Sequence, residues 1–487
     1  MADSAVDRTP PPVTLRIGDQ RLTSGSGGEH GHVNPCTGKV DATVPLAGKS
    51  EVDRAVEVAH EAFQSWRKTR PAARRQLLLR LGELIEANAA ELGRLGTLDN
   101  GMPNGSGAMP AFAAEWTRYY AGWCDKLSSD VVGSLADGGA LSYTLAQPYG
   151  VIGAVITWNA PLLSIAMKVP AIVAAGNTVV VKPSELTPFT GELFMNLVDE
   201  AGFPPGVINM LPGDSSAGEA LVTHPLIKKV SFTGGPVTAR RILQSCADSM
   251  KPVVLELGGK SANLIFEDAD LDSAATMGTI LSCGVMSGQS CNFGTRMLVQ
   301  RSIYDEVVVR VKGVAESMKF GDPFEPGVVA GPVINEAALQ RILGLIERAE
   351  AGGARLVTGG RRLGGDLSDG YFIAPTVFAD VDPDSELAQT EVFGPVLAIT
   401  PFDTEQDAID IANNSQFGLS GYVQTADLRR ALRVVEEMVT GEVMVNGAAN
   451  LMVNRPYGGI GLSGVGKEGG RYGIEEFLRV KGVGIAV

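Results

Sequence analysis

Cysteine, histidine and basic charge are all scarce in this chain. Five cysteines, at positions 36, 124, 246, 283 and 291, are spread over 487 residues, with no CxxC among them. That argues against a disulfide framework and against a structural zinc site. The 4 histidines offer little more. His30 and His32 fall in a loose N-terminal stretch, His60 borders the apolar stripe of a helix, and His224 precedes Pro225. Neither a histidine metal site nor a Cys–His protease is supported, and no metal is expected. Lys and Arg number 41 against 55 Asp and Glu, a formal net charge of −14. An acidic surface repels phosphate backbones, so a nucleic-acid partner is not expected. Long apolar runs are missing too. The uncharged run Gly150 to Met167 is interrupted by Asn159 and Pro161 and closed by Lys168. It is at best marginal against the ~20 residues a bilayer requires and reads as a buried strand and helix. The opening MADSAVDRTPPPV has no apolar signal core, so the expectation is a cytoplasmic, reducing-compartment protein away from membranes.

What is present is a globular composition, 45% hydrophobic with 60 glycines, and enough length for two or three domains. Residues 1 to about 32, rich in Pro, Gly and Ser, read as a mobile arm or short edge strands. Val52, Ala55, Val56, Ala59 and Phe63 mark one amphipathic helix; Leu77, Leu78, Leu81, Leu84, Ile85 and Leu92 mark a second. Asp99-Asn100-Gly101 reads as its stop and turn. From 150 the pattern changes. The apolar segments 151–157, 178–182, 207–211, 229–232 and 252–257 alternate with helices opened by Pro161 and by Thr187-Pro188. Buried strands separated by helices imply a parallel sheet covered on both faces. The pattern is that of a dinucleotide-binding fold, although no GxGxxG occurs within 150–257. A second α/β unit starts near 258. It has a helix over 270–288 running towards Cys291, a helix capped by Asn335, and helices around 404–413 and 427–439. The closing LRVKGVGIAV has strand composition and is a candidate for pairing with another chain; the alternative is an internal edge strand.

Four segments could carry chemistry. In SGQSCNFGTR (287–296), Cys291 stands among Gly288, Ser290 and Gly294, which leave room for a tetrahedral adduct on a nucleophilic thiol. A buried structural thiol is the alternative, and the role assigned to Cys283. In LELGGKSAN (255–263), Glu256 ends an apolar strand. A partly desolvated carboxylate there is pushed towards neutrality and can act as a general base; helix capping or pairing with a lysine is the alternative. In ITWNAP (156–161), the Asn159 amide could donate to an oxyanion, or merely cap the helix opening at Pro161. In VVKPSE (180–185), Lys182 and Glu185 suit ribose hydroxyls. The glycines of SFTGG (231–235), at the start of a helix, would let the backbone approach a pyrophosphate; an ordinary strand-helix turn is the alternative.

Taken together, TWNAP, KPSE, FTGG, LELGGK, GQSCNFGTR, EVFGP and PYGGIGLSG occur in the order found in the aldehyde dehydrogenase superfamily. The resemblance runs from about Asn34, in NPCTG, to near the C-terminus. It implies an α/β fold of two Rossmann-like parallel-sheet domains plus a small β oligomerisation arm. The implied division is a dinucleotide-binding domain at 14–127 and 147–257, a catalytic domain at 258–450, an arm at 128–146 and 468–487, and a mobile segment at 1–13. It further implies NAD-dependent oxidation of an aldehyde to an acid. Cys291 matches the nucleophile, Asn159 the oxyanion holder, and Glu256 the base that hydrolyses the thioester. Ile156, Thr157, Trp158, Lys182, Ser184, Glu185, Gly213, Gly218, Phe232, Thr233, Gly234, Gly235, Leu257, Gly258, Glu391 and Phe393 match cofactor-binding positions. Members usually form homodimers or homotetramers and need no metal.

Two positions depart from the family pattern: Gly235, where many members carry Ser, and Gly461, where many carry Lys. The substrate pocket implied by the resemblance comprises Phe112, Ala160, Ser164, Met167, Ser290, Asn292, Leu451 and Tyr457. Ala160 replaces an aromatic ring that several members carry. This favours a medium-sized or bulky uncharged aldehyde, with Arg455 the nearest rival claim for a carboxylate-bearing one. The Glu185 carboxylate repels a 2′-phosphate, which favours NAD over NADP, while Lys182 leaves NADP open. The competing functions are a coenzyme A-acylating dehydrogenase, which generally lacks the base at Glu256, and a non-catalytic NAD-binding relative.

Overall fold

A computed structural model describes residues 6–103, 108–133, 140–447 and 451–486. Two mixed sheets dominate it. The first has eight strands, in the order 20–22, Leu15–Ile17, Ile208–Met210, Thr178–Lys182, Val151–Val155, Ile227–Thr233, Val253–Glu256 and Gly464–Val465. Its five central strands run parallel; Leu15–Ile17 and Gly464–Val465 pair antiparallel with them at either side, and 20–22 pairs antiparallel with Leu15–Ile17. Strands Val151–Val155 and Thr178–Lys182 are buried at every residue, as a sheet covered on both faces requires. Helix Pro161–Ala174 is buried all round, wedged within the apolar cluster that also holds Trp66, Trp116 and Phe194. The second sheet has seven strands spanning Ala262 to Val445, parallel except at the Arg355–Thr358 edge. Its core is a separate set of clusters around Val299, Phe378 and Phe402.

The terminal strand Leu478–Ala486 pairs antiparallel with Ala140–Pro148 along its whole length. Val131–Val132 lies on the far side of Ala140–Pro148, so the terminal strand forms one edge of this small sheet. The structure thus gives the alternative reading, an internal edge strand, and among the described residues no strand pairs with its other side.

Several elements differ in detail from the expectation. The second amphipathic stretch breaks at Asn88 into Pro71–Ala87 and Ala89–Asn100. The 270–288 helix is α only over Leu271–Thr279. A π turn over Ile280–Gly284 follows, then a tight turn with Met286 and Ser287 at positive φ. Thr187 does not cap helix Phe189–Ala201: its hydroxyl has no partner. The cap comes from Asp99, whose carboxylate accepts Phe189 N–H at 2.8 Å, Thr190 N–H at 3.0 Å and the Thr190 hydroxyl at 2.5 Å. Residues 6–13, expected to be mobile, lie against the body of the protein. Arg8 pairs with Asp322, Arg94 donates to Asp7 O at 2.9 Å, and Val13 is buried.

Candidate active site

The five parallel strands of the first sheet end on one edge, and the chain after each carries the candidate cofactor residues. This is the ligand crevice of an open α/β sheet. After Val151–Val155, Ile156 N–H continues the ladder to Lys182 O, at 3.1 Å. Trp158 then stands edge-on to Phe393, with ring centroids 5.4 Å apart. After Thr178–Lys182, the Lys182 ammonium donates to Gly213 O and lies 3.7 Å from the Glu185 carboxylate. A Cβ on Gly218 would sit 3.6 Å from the Lys182 chain, so Lys182, Glu185, Gly213 and Gly218 form one cluster. Ser184 closes the local turn by accepting Leu186 N–H at 3.3 Å. After Ile227–Thr233, a Cβ on Gly234 would lie 2.4 Å from the Phe232 ring, while Gly235 faces open space. Gly235 caps helix Pro236–Ala247, leaving the helix N-terminus accessible to an anion. The Gly235 departure therefore keeps a phosphate-compatible loop.

The fifth strand, Val253–Glu256, brings the two halves of the site together. Leu257 N–H donates to Ser463 O at 3.0 Å. A Cβ on Gly258 would fall 2.0 Å from Glu391 Oε2, and one on Gly259 only 2.4 Å from Cys291 O. Glu391 accepts Gly259 N–H at 2.9 Å, and burial lifts its carboxyl to about 7. Phe393, two residues on, holds φ +50°. The glycine pair thus seats the EVFGP turn and the cysteine loop directly against the strand end.

Glu256 is 3% exposed and neither carboxylate oxygen has a hydrogen-bond partner. The capping and lysine-pairing alternatives are both absent. Burial is the main cause pushing its pKa well above the usual carboxylate range, and the neighbouring Glu468 carboxylate adds to it. Beneath it, fully buried Lys168 pairs with Glu468 and donates to Ser231 Oγ at 3.0 Å. Cys291 is partly exposed, and its Sγ lies 3.3 Å from the Tyr457 hydroxyl. Burial, with help from Glu391 and Glu256, raises the thiol to about 12. Asn159 does not cap the helix at Pro161; its amide donates to Gln289 O at 2.9 Å. An amide has two N–H groups, so one remains for a ligand beside the cysteine loop.

The pocket residues are only partly drawn together. Phe112, Ala160, Cys291 and Leu451 all pack against the cluster that contains Met167 and Tyr457. Ser164 is buried on the same helix as Met167. Ser290 and Asn292 instead bond to one another, at 2.9 Å. Ala160 also lines a mostly apolar pocket with Leu92, Met109 and Leu163. The Arg455 guanidinium contacts Met444 Sδ at 3.2 Å. Gly461 has φ +60°, and a Cβ there would lie 2.7 Å from Gln416 O, so glycine suits this backbone.

Two residues escaped the sequence reading. Asn100, taken only as part of a turn, donates to Asn159 O at 3.0 Å and to Trp158 O at 3.4 Å. It thereby fixes the peptide that carries Asn159. Arg296, in the GTR of the cysteine segment, is 4% exposed and donates to Lys260 O, Ile411 O and Ala412 O. The sequence carried no signal for it, because its role lies in buried contacts with backbone carbonyls from distant segments. Among the described residues, no group of three or more His, Cys, Asp or Glu is placed to hold a metal, and no helix is long and apolar enough to cross a membrane.

Comparison with known proteins agrees with this geometry. Residues 22–483 match the aldehyde dehydrogenase family. An aldehyde dehydrogenase of Enchytraeus buchholzi is 41% identical, over 96% of this chain and 94% of its own. The NAD+ complex of an aldehyde dehydrogenase from Bacillus cereus superposes with a TM-score of 0.94 at 37% identity, covering 98% of this chain and 97% of that one. A betaine aldehyde dehydrogenase from Staphylococcus aureus in complex with NAD+ gives 0.95 at 33% identity, covering 98% and 95%. Sequence motifs, sheet topology and the convergence of both sheets on the cysteine loop lead to one conclusion: the chain belongs to the aldehyde dehydrogenase family.

Proposed function

We propose that the chain oxidises an uncharged, medium-sized or bulky aldehyde to its carboxylic acid with NAD, through a covalent adduct on Cys291. The observation that carries this reading is the buried, unpartnered Glu256 carboxylate beside the thiol. A carboxylate kept unpaired in an apolar setting is costly unless it has work to do. Lys182 and Glu185 would hold the adenosine ribose and Glu391 the nicotinamide ribose. The Gly234-Gly235 helix start would receive the pyrophosphate, and Trp158 and Phe393 would flank the nicotinamide end. The fit rests on the cradle itself, since a side chain on Gly234 or Gly258 would collide with its neighbours. When bound, the dinucleotide supplies the hydride acceptor. Glu185 near the ribose favours NAD over a 2′-phosphorylated cofactor; Lys182, 3.7 Å away, permits some use of the latter.

The chain's own groups do the rest. The Cys291 sulfur adds to the aldehyde carbon, and the free N–H of Asn159 steadies the oxyanion. After oxidation of the adduct to a thioester, Glu256 takes a proton from water, and the resulting hydroxide displaces the thiolate. Ala160, with Phe112 and Leu451 on the same apolar cluster, leaves the space that a larger aldehyde would occupy. The division into a cofactor domain (14–127 and 147–257), a catalytic domain (258–450) and an arm (128–146 and 468–487) belongs to the same reading. So does a homodimer or homotetramer assembled through the open edge of Leu478–Ala486. Its five free cysteines suit a reducing, cytoplasmic setting.

The test is nicotinamide reduction without coenzyme A, over a panel of aliphatic, aromatic and semialdehyde substrates, with Cys291→Ala and Glu256→Gln alongside. Turnover lost in Cys291→Ala, and a single burst in Glu256→Gln, are expected. Reduction only after coenzyme A is added would establish the acylating reaction instead. Binding of NAD without any reduction would establish the non-catalytic reading.

A further inference from the structure

We propose that Tyr457 is a further catalytic residue, its hydroxyl donating to the Cys291 sulfur and stabilising the thiolate that attacks. The proposal rests on the reading of Cys291 as nucleophile, and it starts from a shortage of positive charge. The ionisable groups acting on the thiol come from every segment packed around it. Glu256 ends strand Val253–Glu256, Glu391 stands in the EVFGP turn, and Tyr422 lies on strand Ser420–Gln424. Both carboxyls oppose ionisation of the thiol. Lys260 lies behind Glu391, and Lys168 and Lys467 lie towards Glu256; none of them bonds to the sulfur. Among the described residues no histidine acts on it, so the activation used by Cys–His enzymes is not available there.

Among the described residues, one side-chain group bonds to the sulfur: the Tyr457 hydroxyl, at 3.3 Å. Tyr457 is 6% exposed, and its backbone is clamped to Glu468 by a pair of hydrogen bonds, at 2.6 and 2.7 Å. The bridge fixes the backbone that carries the ring, and the ring itself is packed within the apolar cluster that also holds Met167. Direction follows from acidity. Burial and the adjacent thiol and carboxyl hold the phenol well above its ordinary range, and the bond between the two groups raises the phenol while it lowers the thiol, the pattern of a phenol that keeps its proton and donates to sulfur. The O–H is then the donor and the sulfur lone pair the acceptor. In the activating step, the thiol S–H bond breaks and its proton passes to water. The electron pair stays on sulfur, and Tyr457 neither gains nor loses a proton. Attack converts that pair into the C–S bond while the carbonyl π pair moves to oxygen. A phenylalanine ring here would fill the same volume and leave the thiolate without its donor.

The experiment is the pH dependence of Cys291 alkylation by iodoacetamide, in which an S–CH2 bond forms and iodide leaves. The labelled Cys291 peptide is quantified by mass spectrometry, and thiolate absorbance is measured against Cys291→Ala as a second reading. In Tyr457→Phe the rising limb of the profile, and with it the midpoint, should shift up by about one pH unit, so that alkylation at a fixed pH on that limb slows about tenfold, the effect of losing a hydrogen bond to a charged group. Replacing Tyr457 by 2,3-difluorotyrosine gives a stronger donor of nearly the same size. It should move the midpoint down, which keeps the test decisive even if the phenylalanine variant folds poorly. Midpoints that stay put, or that move together in both variants, overturn the proposal. Its failure is distinguishable from failure of the functional reading, because the latter shows as aldehyde turnover surviving in Cys291→Ala, whatever the alkylation profile.

Discussion

Lys168→Met is the substitution whose consequences can be worked furthest. Lys168 is fully buried in helix Pro161–Ala174, and Glu468 is 3% exposed. The two pair directly, with Ser231 Oγ as the second partner of the ammonium. Methionine matches the length of the lysine stem but removes the charge, leaving Glu468 buried and uncompensated. Breaking one side of such a pair costs about 3–5 kcal/mol. The second effect is electrostatic. Lys168 lowers the Glu256 pKa while Glu468 raises it, so the single variant lifts Glu256 further and moves the acid limb of turnover to higher pH. Adding Glu468→Leu removes both charges. The double variant should recover most of the lost stability, as apolar replacements of buried pairs do, and return the acid limb towards its original position. Urea melts and pH–rate profiles of the two singles and the double measure both effects. A double variant no more stable than Lys168→Met, or an acid limb unmoved in all three, refutes the reasoning.

Asn100→Ala removes the amide that holds Asn159 O. Hydride-transfer rate should fall about tenfold, yet little further when added to Asn159→Ala, as a rapid-mixing double-mutant cycle would show. Gly258→Ala places a methyl 2.0 Å from a Glu391 oxygen. NAD binding by calorimetry should weaken at least tenfold, with Glu391→Ala in the same chain recovering part of the loss. Glu51 closes the start of helix Lys49–Trp66, accepting from Gly48 N–H at 2.8 Å and Ser26 Oγ at 2.6 Å. Although partial burial opposes it, hydrogen bonding from Ser26, Gly48 and Ser50 brings its carboxyl down to about 2. Because the folded value lies below the unfolded one, the stabilisation is present above about 4.5 and fades as pH falls towards 2. Glu51→Gln should cost about 1 kcal/mol at pH 7 and almost nothing at pH 2 in chemical denaturation.

Much of the first sheet was readable because its signals are local. Strands such as Val151–Val155 are short apolar runs, and a residue just past such a run faces the crevice in any parallel sheet. Glu256, Lys182 and Asn159 could be placed that way before any fold was known. What stayed hidden depended on partners distant along the chain. Thr187-Pro188 has the composition of a helix start, but the capping carboxylate arrives from Asp99, 91 residues before Thr190. The 270–288 segment has helical spacing throughout. Its last turns nevertheless coil tightly through Met286 and Ser287, where Ser287 donates to Gly331 O at 2.6 Å, a tertiary demand that local propensity does not carry. Tyr457 was named as a pocket wall, but its bond to a thiol 166 residues away could not be read from either segment.

The stretch from Tyr457 to Leu478 ties the floor of the site to the outermost strand without slack. Tyr457 touches the thiol, Gly458 lies under Glu256, and Gly464 and Val465 pair with Glu256 and Leu255. Asn177 then pins Phe477 O at 2.9 Å, and the next residue enters the terminal strand. Any pull on that strand is thus applied to the candidate site itself. For anyone preparing the protein, the corollary is practical: a purification handle belongs at the N-terminus, and trimming the C-terminal tail is an operation on the catalyst rather than on its packaging.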